Sequence, residues 1–125
     1  MGMFEVNVRL ANIEDPARFS ELSLIVDTGA TLSWIPRTVL QGLGVEPLSR
    51  LPFSLADGSS VEREIGGVLL IVDGRRAAIP VAFAESGETA LLGATALETL
   101  GFVADPVEKR LIARDLLALA SGPAS

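Results

Sequence analysis

An apolar run that ends in an acid is the feature that most limits this chain. In LSLIVDTGATLSWIP, Leu22 to Pro36, the segment Leu22 to Val26 reads as a continuous apolar strand covered on both faces, and Asp27 follows it directly, with Thr28-Gly29 behind. A carboxylate at the end of a buried strand loses hydration, so a partner must offset the cost, and the backbone N–H groups of Gly29 and Ala30 are near enough to donate. Gly29 permits that close approach. The chain supplies its own control, because Ile-Val-Asp recurs at Ile71 to Asp73 with Gly-Arg-Arg as its sequel. Asp-Gly between two strand-like runs marks a two-residue hairpin, so turn chemistry accounts for Asp73, and Asp57 in ADGSS reads similarly as a hairpin tip. For Asp27 two readings stand at this point: a chemical carboxylate, or a strand-end turn or helix cap.

Composition narrows the chemistry. The chain has 125 residues, enough for one domain with one core, and contains neither Cys nor His nor Tyr. Thiol nucleophiles, Ser-His-Asp triads and the usual zinc ligand sets are thereby excluded, leaving carboxylates, hydroxyls, Arg, the single Lys109 and the backbone. No metal or cofactor is expected. Net charge is −6, and both halves are acidic, with six acids against four Arg in residues 1 to 50. Binding to a phosphate backbone is disfavoured, and no nucleic-acid partner is expected. No apolar run nears the roughly 20 residues of a membrane span, and MGMFEVNVRL lacks a signal-peptide pattern, so a cytoplasmic, soluble protein is expected. A hydrophobic fraction of 49% with 21% charged residues is more apolar than usual, which points to surface covered by a partner.

The elements read as follows. Phe4, Val6, Val8 and Leu10 alternate as a half-buried strand. Pro36 can open a short helix through Leu43, stopped by Gly44. FSLADGSSVEREIGGV reads as a hairpin, and Val68 to Val72 with Ala77 to Phe83 as another around Asp73-Gly74. Ala90 to Leu92 is a short strand, followed by a Gly corner and a helix ended by Gly101, then strands at Phe102 to Asp105 and Arg110 to Ala113. GAT occurs at Gly29 to Thr31 and again at Gly93 to Thr95, each time after an apolar strand and before a helix ending in LQGLG or LETLG. The echo predicts pseudo-two-fold internal symmetry, with TLSWIPR as an insertion in the first unit. Residues 1–113 form the expected domain and 114–125 an extension, apolar and then flexible.

LIVDTGA at Leu24 to Ala30, the ADGSS hairpin at Ala56 to Ser60, GGV at Gly66 to Val68 and LLGAT at Leu91 to Thr95 occur together and in an order that resembles the retropepsins, the single-domain aspartic proteases of retroviral type, and especially their bacterial and cellular relatives. The resemblance spans about Phe4 to Ala113. It implies an all-β, closed barrel-like acid-protease fold with one or two short helices. It further implies an aspartic endopeptidase that works as a homodimer on an extended peptide or protein substrate, each subunit donating one DTG loop. The presence of one DTG, where a self-sufficient two-lobed enzyme needs two, agrees with this. Asp27 is then the catalytic residue, with Thr28, Gly29 and Ala30 supporting its loop and Thr28 bonding across the dimer axis, or else within its own turn. Ala56, Asp57, Gly58 and Ser59 form a flap over substrate, which meets Thr31, Leu32 and Leu91. Trp34, Ile65 and Val81 are further pocket liners or else core.

The chain also departs from the viral pattern. Those enzymes place acids after DTGA and Arg after the second Gly, where Thr31, Leu32 and Ala94 stand here, so that ion pair is missing. The viral chains end in an interface strand, whereas this one continues through RDLLALASGPAS, and Leu116 to Ala120 is expected to help cover the dimer interface. The alternative function is a retropepsin-like module that binds peptides or dimerises without cutting.

Overall fold

A computed structural model describes residues 3–116 and 118. Nine strands and two short helices follow one another as β1 (Glu5–Ala11), β2 (Phe19–Val26), β3 (Ser33–Pro36), α1 (Arg37–Gly42), β4 (Ser49–Ser54), β5 (Ser60–Val72), β6 (Arg75–Ala84), β7 (Leu91–Leu92), α2 (Ala94–Leu100), β8 (Phe102–Asp105) and β9 (Arg110–Ala113). The all-β expectation holds. Strands pair in the order β1-β2-β7-β3-β6-β5-β4, and β5 also pairs with β1, so six strands close a ring and β4 is left outside it on β5. β8 and β9 form a separate two-stranded sheet.

Alternation builds the interior. Val8 and Leu10 of β1, Val68, Leu70 and Val72 of β5, and Ile79, Val81 and Phe83 of β6 point inward, with Leu40 of α1 and Leu97 and Leu100 of α2 joining the same cluster. Ile65 and Val81 are both buried and off the cleft lining, and Val81 belongs to the core cluster. β2 also alternates, against the expectation of a strand covered on both faces: Leu24 and Val26 are buried, while Ser23 is exposed and Ile25 half-buried. Ser23 breaks the run, and its hydroxyl donates to the Asn7 side chain on the outer face at 2.6 Å.

The two Asp-Gly turns differ. Asp73 and Gly74 both have positive φ, at 49° and 83°, which is the geometry of the tight two-residue hairpin between β5 and β6. Asp57-Gly58 sits in a longer loop between Ser54 and Ser60, where Gly58 N–H donates to Leu55 C=O at 3.0 Å and Asp57 accepts from Ser59 N–H at 2.9 Å. The helix expected from Pro36 begins one residue later, because Pro36 closes β3. β3 itself was not anticipated within TLSWIPR. It runs parallel to β6 and touches β7 at Trp34, partners 48 and 57 positions away.

Two arginines fasten the periphery. Arg75 donates to the carbonyls of Leu100 at 2.8 Å, Gly101 at 3.1 Å and Arg114 at 2.8 Å while lying over the Phe102 ring. It thus serves carbonyls left open at the end of α2 and ties the β8–β9 sheet to the β5–β6 turn. Arg37 bridges Glu64 of β5 at 2.6 Å and Glu85 beyond β6 at 2.7 Å. Its guanidinium holds the Glu85 carboxyl below the ordinary glutamate range.

Among the described residues one polar side chain is fully buried, Ser33, whose hydroxyl accepts from Gly93 N–H at 2.9 Å. A Cβ at Gly93 would lie 2.5 Å from the Leu32 carbonyl oxygen, so only glycine lets the chain pass here. Ser33→Ala leaves that buried N–H unpaired and is expected to cost about 1–3 kcal/mol, read as a lower urea midpoint with unchanged slope. The Arg37 pairing should fade with acid. Because Glu85 has a lowered folded pKa, its contribution is complete above the ordinary glutamate value near 4.5 and is lost as pH falls through the folded value. The gap in urea midpoint between the native chain and Arg37→Met is therefore expected to narrow from about pH 6 to about pH 3. A gap that stays constant would show that the pairing contributes nothing.

Candidate active site

The site grows from the place where β2 and β7 lie side by side. They run parallel, with Ile25 against Leu91 and Val26 against Leu92, so the two GAT corners emerge as neighbours. Asp27 N–H donates to Leu92 C=O at 2.9 Å, Ala94 N–H to Ala30 C=O at 2.8 Å, and Thr95 N–H to Thr31 C=O at 3.0 Å. Backbone bonds therefore join the corners where the viral pattern would place an ion pair. Neither Ala94 nor Thr31 needs a charged side chain for this.

Asp27 is half-buried, and Thr28 and Gly29 are exposed. Gly29 N–H donates to Asp27 Oδ1 at 3.0 Å, whereas Ala30 N–H goes to the Asp27 backbone carbonyl at 3.2 Å. One of the two expected donors thus serves the carboxylate. The other closes the turn beneath it. The carboxylate is presented at the surface of this chain on a loop whose backbone is pinned from below.

Above this loop lies a cleft of about 1050 Å³. Asp27, Gly29, Ala30, Thr31 and Leu32 line its floor, Leu91 and the segment Gly87 to Thr89 one side, and Leu51 to Ala56 another. The structure gathers Asp27, Gly29, Ala30, Thr31, Leu32, Ala56 and Leu91 around one space. It leaves Thr28 off the lining, and Asp57, Gly58 and Ser59 stand exposed at the hairpin tip. At that tip Ser59 donates to Asp57 through both its hydroxyl and its N–H, and these bonds lower the Asp57 pKa.

Trp34 belongs to the cleft, with its ring edge-on to Phe53 at 5.0 Å between centroids. Phe53 and Leu51, on β4, were not singled out in the sequence. Their alternation in SRLPFS is weak, and only the pairing of β4 with β5 carries them to the cleft. Glu88 was missed as well. It accepts from Arg63 Nε at 3.0 Å, from Arg63 Nη2, and from Glu85 N–H at 2.7 Å. The Arg63 guanidinium is the main cause of a lowered Glu88 pKa, and Glu88 in turn raises that of Arg63. No signal in the sequence links two charges 25 positions apart.

Chemically, the arrangement offers the Asp27 carboxylate, a second carboxylate at Glu88 that is ion-paired with Arg63, backbone amides and a largely apolar lining. Among the described residues no helix is long and apolar enough to cross a membrane. No curated protein matches the chain. A family model described as aspartyl protease matches residues 7–96, a span that runs from β1 through the Asp27 loop and the hairpins to the second glycine corner. With that match over most of its length, and with the Asp-Thr-Gly loop set at the floor of a cleft, the chain belongs to the retropepsin-like aspartyl protease family.

Proposed function

We propose that this protein is an aspartic endopeptidase, active as a homodimer, in which two Asp27 side chains share one site. The observation that carries this reading is the single DTG loop, exposed at its Thr28-Gly29 tip and pinned underneath to the LLGAT corner. One carboxylate held this way has no acidic partner in the cleft floor of its own chain, where Gly29, Ala30, Thr31 and Leu32 surround it. A second copy supplies one. Two carboxylates brought close cannot both ionise easily, so the pair holds one proton and titrates as a unit. The ionised member takes a proton from the attacking water, and the protonated member donates to the oxygen of the scissile carbonyl. Thr28, next to Asp27 and exposed, is suited to bonding across the two-fold axis. The subtype we favour is the bacterial or cellular one.

An extended peptide would lie in the trough beneath the β4–β5 hairpin, with Ala56 to Ser59 acting as a flap and Thr31, Leu32 and Leu91 beneath. The alternative, a module that binds peptide without cutting it, shares this trough and differs only in the fate of the bond.

The test is Asp27→Asn, which keeps size and shape while removing the shared proton. Purified dimer is expected to cleave members of a peptide library with a bell-shaped dependence of kcat/KM on pH, falling in acid as both carboxylates protonate and in base as both ionise. Asp27→Asn is expected to lower kcat by about 10²–10⁴-fold or more while the dimer persists in sedimentation. Cleavage retained by the variant would remove Asp27 from the mechanism, and peptide binding by both forms without cleavage would establish the binding module. Asp73→Asn, at the tight hairpin, should behave as the native enzyme does.

A further inference from the structure

β5 changes character at Arg63 and Glu64. Toward its C-terminus it pairs with β6, beginning at Ile65 against Ala82, and with β1 at Leu69 to Ile71. Toward the hairpin tip it pairs with β4 alone, from Glu64 against Arg50 to Ser60 against Ser54. The ring thus ends where a two-stranded arm begins, and such an arm has little stability of its own. Successive strand residues face opposite sides, and the two residues at this junction are each ion-paired, Glu64 to Arg37 on one side and Arg63 to Glu88 on the other.

Arg63 is not itself among the residues that line the cleft, but its partners Glu88 and Trp34 are. Its guanidinium meets Glu88 through two nitrogens, donates to its neighbour's carbonyl at Glu62 at 2.7 Å, and lies 5.9 Å from the centre of the Trp34 ring. The edge of that ring contact continues to Phe53 on β4. Arg63 is opposite Leu51, which also lines the cleft. Three separate parts of the chain, the β6–β7 loop, β3 and the arm, therefore meet at this one guanidinium. Glu88 is engaged at both oxygens, by Arg63 and by the Glu85 amide.

We propose that Arg63 is a positioning residue for substrate: clamped by Glu88, it holds the Trp34–Phe53 wall and the base of the β4–β5 arm in the geometry that accepts a substrate side chain. The proposal rests on the reading of this cleft as the peptide site. Arg63 touches neither the dyad nor the bond to be cut, so its effect falls on substrate capture. The movable part of the arm is then the portion beyond it, toward Gly58.

Trp34 makes this readable, since it is the only tryptophan and the chain has no tyrosine. Full-length dimer carrying Arg63→Met or Glu88→Gln is expected to show about twofold or greater acrylamide quenching of Trp34 and faster amide exchange at Leu51 and Phe53. On the best library peptide, KM should rise by about fivefold, the size expected for loss of a partly exposed ion pair, with kcat within about twofold. Arg63→Lys keeps the charge without the planar fork and should fall between. Unchanged quenching and KM in Arg63→Met, or a fall in kcat at constant KM, would overturn the proposal. The optical and exchange arms are repeated in the Asp27→Asn background, where they must give the same differences, so a chain that cuts nothing still tests the clamp.

Discussion

The backbone bonds that join the two glycine corners are the constraint on which the site depends. A carboxylate at a strand end can be aimed only if the turn after it is fixed, and here the turn is fixed by another turn. Asp27 N–H on Leu92, Ala94 N–H on Ala30 and Thr95 N–H on Thr31 make the two corners a single unit. Ser33 adds the fourth bond from inside, on the N–H of the glycine whose missing side chain lets the corners approach. Apart from the Ser33 hydroxyl these partners are main-chain atoms, so the backbone itself holds the corners together. This explains how the loop does without the charged side chains of the viral pattern.

From that unit outward, rigidity declines in steps. The ring of six strands has partners on both edges. The β4–β5 arm has one pair of strands and relies on ion pairs at its base, and the hairpin tip has its own small set of bonds around Asp57. The chemistry proposed for Asp27 needs a fixed carboxylate, while a cleft that admits an extended chain needs a cover able to move. The same chain meets both demands by placing backbone hydrogen bonds at the floor and partly exposed ion pairs at the base of the arm.

What could be read from the residues was local. Alternation located β1, the Asp-Gly pairs located two hairpins, Gly101 ended α2 with φ of 75°, and the limits of β8 and β9 agree with the expected ones. DTG and LLGAT could be matched because each is a short motif with its own backbone demand. What escaped was set by distant partners. β3 is four residues long and exists because β6 and β7 flank it. Phe53 enters the cleft only because β4 rides on β5, and Glu88 because Arg63 faces it. The apolar look of Leu22 to Val26 misled about burial, since Ser23 already marks an outer face. The expectation for Leu116 to Ala120 lies largely outside the described residues, and Leu116 itself is exposed.

The pairing of β1 with β5 has a consequence for how the molecule is made. Arg9 meets Ile71 and Ala11 meets Leu69, so the ring closes only when segments about sixty positions apart find each other. Such closure pays its loop entropy before any contact rewards it, which slows folding relative to a chain of local hairpins. On a ribosome the β1–β2 hairpin emerges early and must wait with one edge open until β5 has followed. The LLGAT corner emerges later still, so the Asp-Thr-Gly loop acquires its final shape only after residues 91–95 have been made. A nascent chain therefore carries its acid long before it carries an ordered site.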